Sequence, residues 1–125
     1  MSRQPRVLVI DDEPVMQRLI VRALRNHEVV VTGDAREALA LVAASHAFDV
    51  ILCDLNMPGM SGMEFHAALT PAQADRTLFL TGGALTDASQ LFLKQAGVRV
   101  LTKPVDMKQL RAAVADLLER HVPIL

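Results

Sequence analysis

The residues whose types could do chemistry together are the acidic run Asp11-Asp12-Glu13, the carboxylate of Asp54, the hydroxyl of Thr81 and the amine of Lys103. Three consecutive acids, with a fourth carboxylate brought near them, would repel one another unless a cation neutralised them. A hard divalent ion with oxygen ligands is the economical answer. Magnesium fits best, since it keeps several waters and takes one or two carboxylates plus phosphate oxygens; calcium is a weaker second choice. A carboxylate beside such an ion can act as a nucleophile toward phosphorus, while a lysine and a threonine stabilise charge on the phosphoryl oxygens.

Taken singly, each of these residues has a plainer explanation. The acidic run would be a solvated turn that favours the start of a following helix through the macrodipole. Asp54 would stabilise the turn at Asn56-Met57-Pro58-Gly59. Lys103 would be a surface lysine with its stem laid on apolar neighbours, and Thr81 an ordinary strand or capping residue. The chemistry therefore depends on elements that carry distant positions to one place.

Such elements are legible. Short β-branched apolar runs alternate with longer segments of helical periodicity, the pattern of a parallel sheet covered by helices on both faces. Strands are expected at 6–10, 28–32, 49–53, 77–80 and 98–102. Between and after them, Val15/Leu19/Ala23, Ala35/Leu39/Val42, Ala88/Leu91/Gln95 and Leu110/Val114/Leu117 recur at helical spacing. Residues 62–69 form the weakest helix, short and running into Thr70-Pro71 before an alanine-rich connection. Pro14 suits a first helical turn, Asp34 and Asp87 suit helix starts, and Gly97 suits a C-terminal cap. The result is five strand–helix pairs in a single domain over 1–125. In an open parallel sheet, ligands bind outside the carboxyl ends of the strands. Here those ends carry Asp11-Asp12-Glu13, Asp54, Thr81-Gly82-Gly83 and Lys103-Pro104.

Composition narrows the function classes. At 125 residues and 51% hydrophobic, the chain can bury one substantial core. The formal charge is −1 with scattered basic residues, so direct binding of nucleic acid or an anionic membrane is not expected. The apolar runs are strand-sized, far short of the ~20 residues that cross a bilayer, and no secretory leader is recognised. One cysteine, Cys53, precludes an internal disulfide framework and suits a reducing cytoplasm, where the chain is expected to reside.

In order and spacing, Asp11-Asp12-Glu13, Asp54-Leu55-Asn56-Met57-Pro58-Gly59, Thr81-Gly82-Gly83-Ala84 and Lys103-Pro104 resemble the signatures of response-regulator receiver domains, over nearly the whole chain. The resemblance implies a doubly wound, flavodoxin-like (βα)5 fold with strand order 2-1-3-4-5. It implies that Asp54 accepts a phosphoryl group from a histidine kinase or phosphotransfer protein, with the downstream effector unspecified. It further implies magnesium held by Asp12, Asp54 and the backbone carbonyl of Asn56, with Asp11 acting through a metal-bound water. Thr81 and Lys103 would contact the phosphoryl group, and the Lys103-Pro104 bond would be cis. The domain would catalyse only its own phosphorylation and dephosphorylation. Positions two after Asp54 and two after Thr81, here Asn56 and Gly83, would tune hydrolysis. Thr-Gly-Gly-Ala is similar to receivers attached to hybrid histidine kinases.

One departure concerns switching. Many receivers carry Tyr or Phe three positions before the site lysine, whereas this chain has Val100 and no Tyr or Trp at all. The Gly82-Gly83 loop and the helix from about Thr86 are the candidate moving parts. His27, His46, His66 and His121 lack ligand-like spacing and are expected at surface or boundary positions. Cys53 is expected on the sheet face opposite Asp54, as a small buried hydrophobe, and Phe65, Phe79 and Phe92 in packing roles. A magnesium-dependent phosphotransferase or phosphatase with an aspartyl nucleophile is the alternative function. It would want a second carboxylate two residues after the nucleophile, and that position is Asn56. Neither a Walker A loop nor a GxGxxG fingerprint is present.

Overall fold

The computed structural model describes residues 4–44, 48–82 and 85–120. Gly83, Ala84, His46, His121 and the apolar tail 122–125 lie outside these, and with them the expectations attached to the second glycine of the Thr81 loop.

The strands are β1 (Arg6–Ile10), β2 (Glu28–Thr32), β3 (Val50–Asp54), β4 (Thr77–Thr81) and β5 (Arg99–Thr102). All neighbours are parallel, in the order β2-β1-β3-β4-β5. Central strands β3 and β4 are buried at every residue, which is why they read as unbroken apolar runs; edge strand β5 alternates between half-buried and exposed positions. The expected order is borne out.

Two layers of helix cover the sheet. On one face, α1 (Pro14–Ala23) and α6 (Met107–Arg120) pack Ile20, Leu110, Val114 and Leu117 on Val7, Val9, Leu52 and Leu80. On the other, α2 (Ala35–Ala44), α3 (Gly62–Ala67) and α5 (Asp87–Ala96) set Ala38, Val42, Phe65 and the half-buried Phe92 against Leu8, Ile10, Cys53 and Phe79. Pro14 opens α1 as expected, and Gly97 ends α5 in the left-handed conformation at φ 63°.

The fold departs from five simple pairs in the 62–76 stretch. The segment expected as one weak helix followed by a connection is a short α3 and a separate one-turn α4 (Pro71–Ala74). Each begins with a reciprocal capping box, Ser61 with Glu64 and Thr70 with Gln73. The second box restarts a helix where Pro71 could only begin one. Asp49, expected within β3, instead uses its carboxylate to accept the Arg6 backbone N–H at 2.8 Å. β3 therefore runs from Val50 through Asp54 itself.

Candidate functional site

Connections leave β1 and β3 in opposite directions across the sheet, so a crevice opens at their carboxyl ends. Ile10 pairs with Cys53, which brings the next residues, Asp11 and Asp54, side by side. Both are buried, at 0% and 3% exposure, while Asp12 is exposed at the mouth. One carboxylate oxygen from each of Asp11, Asp12 and Asp54 lies within 4.8 Å of the other two.

Lys103 enters from the end of β5. Its backbone N–H donates to the Thr81 carbonyl at 2.6 Å, and the Lys103-Pro104 peptide is cis, as expected. Its stem runs past Gly82, where a Cβ would stand only 3.3 Å from the lysine Cβ and Cδ. The ammonium donates to Glu13 Oε1 at 2.8 Å and to Asp54 Oδ2 at 3.1 Å. It also lies 3.0 Å from Asp11 Oδ2, an ion pair without hydrogen-bond alignment that leaves this oxygen otherwise unpartnered. The other Asp54 oxygen accepts the backbone N–H of Asn56 at 3.1 Å.

One cation is thus shared among several anions, and the two sides of each pair respond differently. At Asp54, burial raises the carboxyl above its ordinary range against the lowering effects of the Asn56 N–H and Lys103, with Asp11 adding repulsion. At Lys103, burial pulls downward, but Glu13, Asp11 and Asp54 together outweigh it and hold the ammonium above the usual lysine range. Lysine gains from every carboxylate, whereas each carboxylate gains only a share of one lysine. The cluster retains excess negative charge.

Thr81 closes β4 with its hydroxyl buried and without a hydrogen-bond partner. An orphaned donor there, an unpartnered Asp11 oxygen and three converging carboxylates are the features a hard divalent cation with an oxygen-rich anion would satisfy. These residues fit magnesium, whose hard, oxygen-seeking chemistry the donor set matches. Asn56 meets Asp54 through its backbone N–H, its side chain being exposed.

Cys53 behaves as expected: it packs on the opposite face, among Leu8, Ile10 and Phe79, and burial followed by repulsion from Asp54 and Asp11 pushes its thiol up. His66 is a boundary residue whose ring lies tilted against Phe79, centroids 5.7 Å apart, and edge-on to Phe92 at 5.2 Å. Val100 is 37% exposed. Sequence reasoning missed three supports. Gln17 Nε2 clamps the Asp11 carbonyl at 2.6 Å. Gly62 packs so tightly behind Asp54 that a Cβ would stand 2.8 Å from the Asp54 carbonyl oxygen. Gly82, read from the sequence only as part of a candidate moving loop, also forms a bed for Lys103. Only the Gly residues left a trace in the sequence, as glycines beside functional positions.

Comparison with known proteins agrees with this geometry. A model of the response regulator receiver domain family matches residues 7–115. The chain is 32% identical over 120 residues to the sensor protein GacS of Pseudomonas syringae pv. syringae, covering 90% of this chain and 13% of that protein. It is 35% identical to the transcriptional regulatory protein TcrA of Mycobacterium tuberculosis, covering 92% of this chain and 46% of that protein. The chain therefore spans less than half the length of either relative. Among solved structures, it is similar to a response regulator receiver domain protein from Clostridium thermocellum, with a TM-score of 0.82, 28% identity and coverage of 93% and 95% of the two chains. It is also similar to the chemotaxis protein CheY4 of Vibrio cholerae, with a TM-score of 0.77, 30% identity and coverage of 93% and 100%.

Proposed function

The chain belongs to the response regulator receiver domain family, whose members are phosphoacceptor signalling domains, and from that premise we propose that Asp54 is the residue that takes the phosphoryl group. The observation that carries this is the buried Asp54 carboxylate at the end of β3, grouped with the Asp11 and Asp12 oxygens and bonded to Lys103.

Receiver domains of two-component systems work with histidine kinases or phosphotransfer proteins, and the donor here is a phosphohistidine on such a partner. An Asp54 oxygen attacks phosphorus in line, the new O–P bond forms as the P–N bond breaks, and the imidazole leaves with the bonding pair. Magnesium, when bound, supplies positive charge to the phosphoryl oxygens. Asp12, Asp54 and the Asn56 carbonyl would hold it, and Asp11 would act through water. Lys103 supplies the second positive charge and Thr81 a hydroxyl donor with no competing partner. Asn56 keeps the Asp54 carboxylate oriented through its N–H. The domain catalyses this modification of itself and its reversal, and turns over no external phosphoester.

The test is labelling with acetyl phosphate and magnesium, read by intact mass. Wild type gains one phosphoryl group, and Asp54→Asn gains none while keeping its far-UV circular dichroism. Labelling that survives Asp54→Asn sinks the assignment.

A further inference from the structure

Glu13 stands at the N-cap position of α1 and its side chain makes no bond to the helix's free N–H groups, a role suited to shorter side chains. Its carboxylate reaches instead to Lys103, at 2.8 Å the shortest of the three anionic contacts to that ammonium. The backbone N–H of Glu13 donates to Asp11 Oδ1 at 2.9 Å, which fixes the arm's root on the acidic cluster. The carboxylate itself is not among the three that converge.

An ammonium has three N–H donors, and here three carboxylates surround it. It donates to Glu13 and Asp54 while Asp11 lies against it as an unaligned ion pair, so a phosphoryl oxygen arriving on Asp54 meets a lysine already held by competing anions. Asp11 is fully buried, and Asp54 is the group being modified. Glu13, with its side chain 60% exposed, is the one that can swing into water.

We propose that Glu13 is a positioning residue that holds Lys103 in the unphosphorylated domain and yields it to the phosphoryl group. The inference rests on the Asp54 assignment and deepens it: the carboxylate at position 13 competes with the incoming anion for one lysine. Its contact is an exposed ion pair, so the competition is modest, worth about three-fold in anion affinity.

The experiment titrates beryllium fluoride, a phosphoryl mimic, into the chain with magnesium by isothermal calorimetry, since there is no Tyr or Trp to report by fluorescence. Glu13→Gln removes the competing charge, and Glu13→Asp keeps it on an arm one methylene shorter. Both should bind about three-fold tighter than wild type. Without metal, the Lys103 ammonium resonance should shift or broaden in both variants. Tightening in Glu13→Gln alone would mean a general charge effect and overturns the proposal, as does equal affinity in all three. Wild type that binds no beryllium fluoride overturns the Asp54 assignment itself, which separates the two failures.

Discussion

Gly82 lies flat against the stem of Lys103, so the residue after the site threonine determines where the site lysine runs. An added methyl at 3.3 Å from the lysine Cβ and Cδ would displace the stem by a few tenths of an ångström. The Lys103 contacts with Asp54 and Glu13 have little slack at 3.1 and 2.8 Å. Gly82→Ala should therefore slow labelling by acetyl phosphate about ten-fold, in line with misplacement of a transition-state donor. Stability should fall by less than ~1 kcal/mol, because a flexible side chain can give. Unchanged labelling kinetics would show that the stem reroutes freely.

Asp54 contributes function at the expense of stability. Its folded carboxyl is raised above the ordinary value by burial, so between the ordinary and raised values the native state holds a proton that the unfolded state has lost. Stability falls as pH rises through that window, and the loss persists at neutral pH. Asp54→Asn should therefore melt higher than wild type near pH 7, by roughly 1 kcal/mol, and lack the falling segment above pH 3.8. Magnesium at ten times its dissociation constant should stabilise wild type by about 1.4 kcal/mol and Asp54→Asn by much less. Thermal melts across pH, with and without magnesium, check both statements.

The contrast between what the sequence disclosed and what it hid has a physical basis. Buried parallel strands are unbroken apolar runs and helices carry a 3.6-residue stripe, so the elements and the acids at strand ends follow from local pattern combined with the rules of open sheets, whereas the order of the strands came from the family resemblance. Close approaches leave no such pattern. The tightness behind Gly62, the bed at Gly82 and the Gln17 clamp on the Asp11 carbonyl arise between elements far apart in the chain. The α4 turn is a different case. Its signal, Thr70-Pro71 with Gln73 three residues on, was present, but a four-residue helix has too little periodicity to stand out.

Gly62 provides a structural counterpart to Gly82. A Cβ there would meet the Asp54 carbonyl oxygen at 2.8 Å and the Leu55 Cα at 2.9 Å, both backbone atoms that cannot rotate away. The start of α3 or the end of β3 must shift. Gly62→Ala should cost about 2–3 kcal/mol by urea denaturation, although alanine is otherwise the better helix former. A stabilised variant would show that the α3 start is free to retreat.

His66 makes acid destabilise the α3–β4–α5 contact. Burial lowers its folded value below the ordinary 6.5, so just below that pH the unfolded state binds a proton that the native state refuses. Stability contributed by the neutral ring is present above the ordinary value and is lost as pH falls below it. His66→Phe keeps a ring against Phe79 and Phe92 and cannot charge. The urea midpoint of the variant should hold steadier than that of wild type between pH ~5.5 and ~7.5. Parallel pH profiles would mean that the His66 ring escapes to water when protonated.

The same rings bear on switching, because Val100 supplies none. Phe79 stands two residues before Thr81 on β4, on the same strand face, and meets Phe92 of α5 edge-on at 5.5 Å. A Thr81 hydroxyl drawn to a phosphoryl oxygen would pull on the strand end that seats Phe79, and the edge-to-face pair would pass the shift to α5. Beryllium fluoride with magnesium should therefore change amide exchange across Asp87–Ala96 in wild type. Phe92→Leu should cut that change by at least about half, the pair contributing roughly 1 kcal/mol, while leaving beryllium fluoride affinity near wild type. An identical exchange response in the variant would mean that the signal leaves the site by another element, with α5 responding to the Thr81 loop alone.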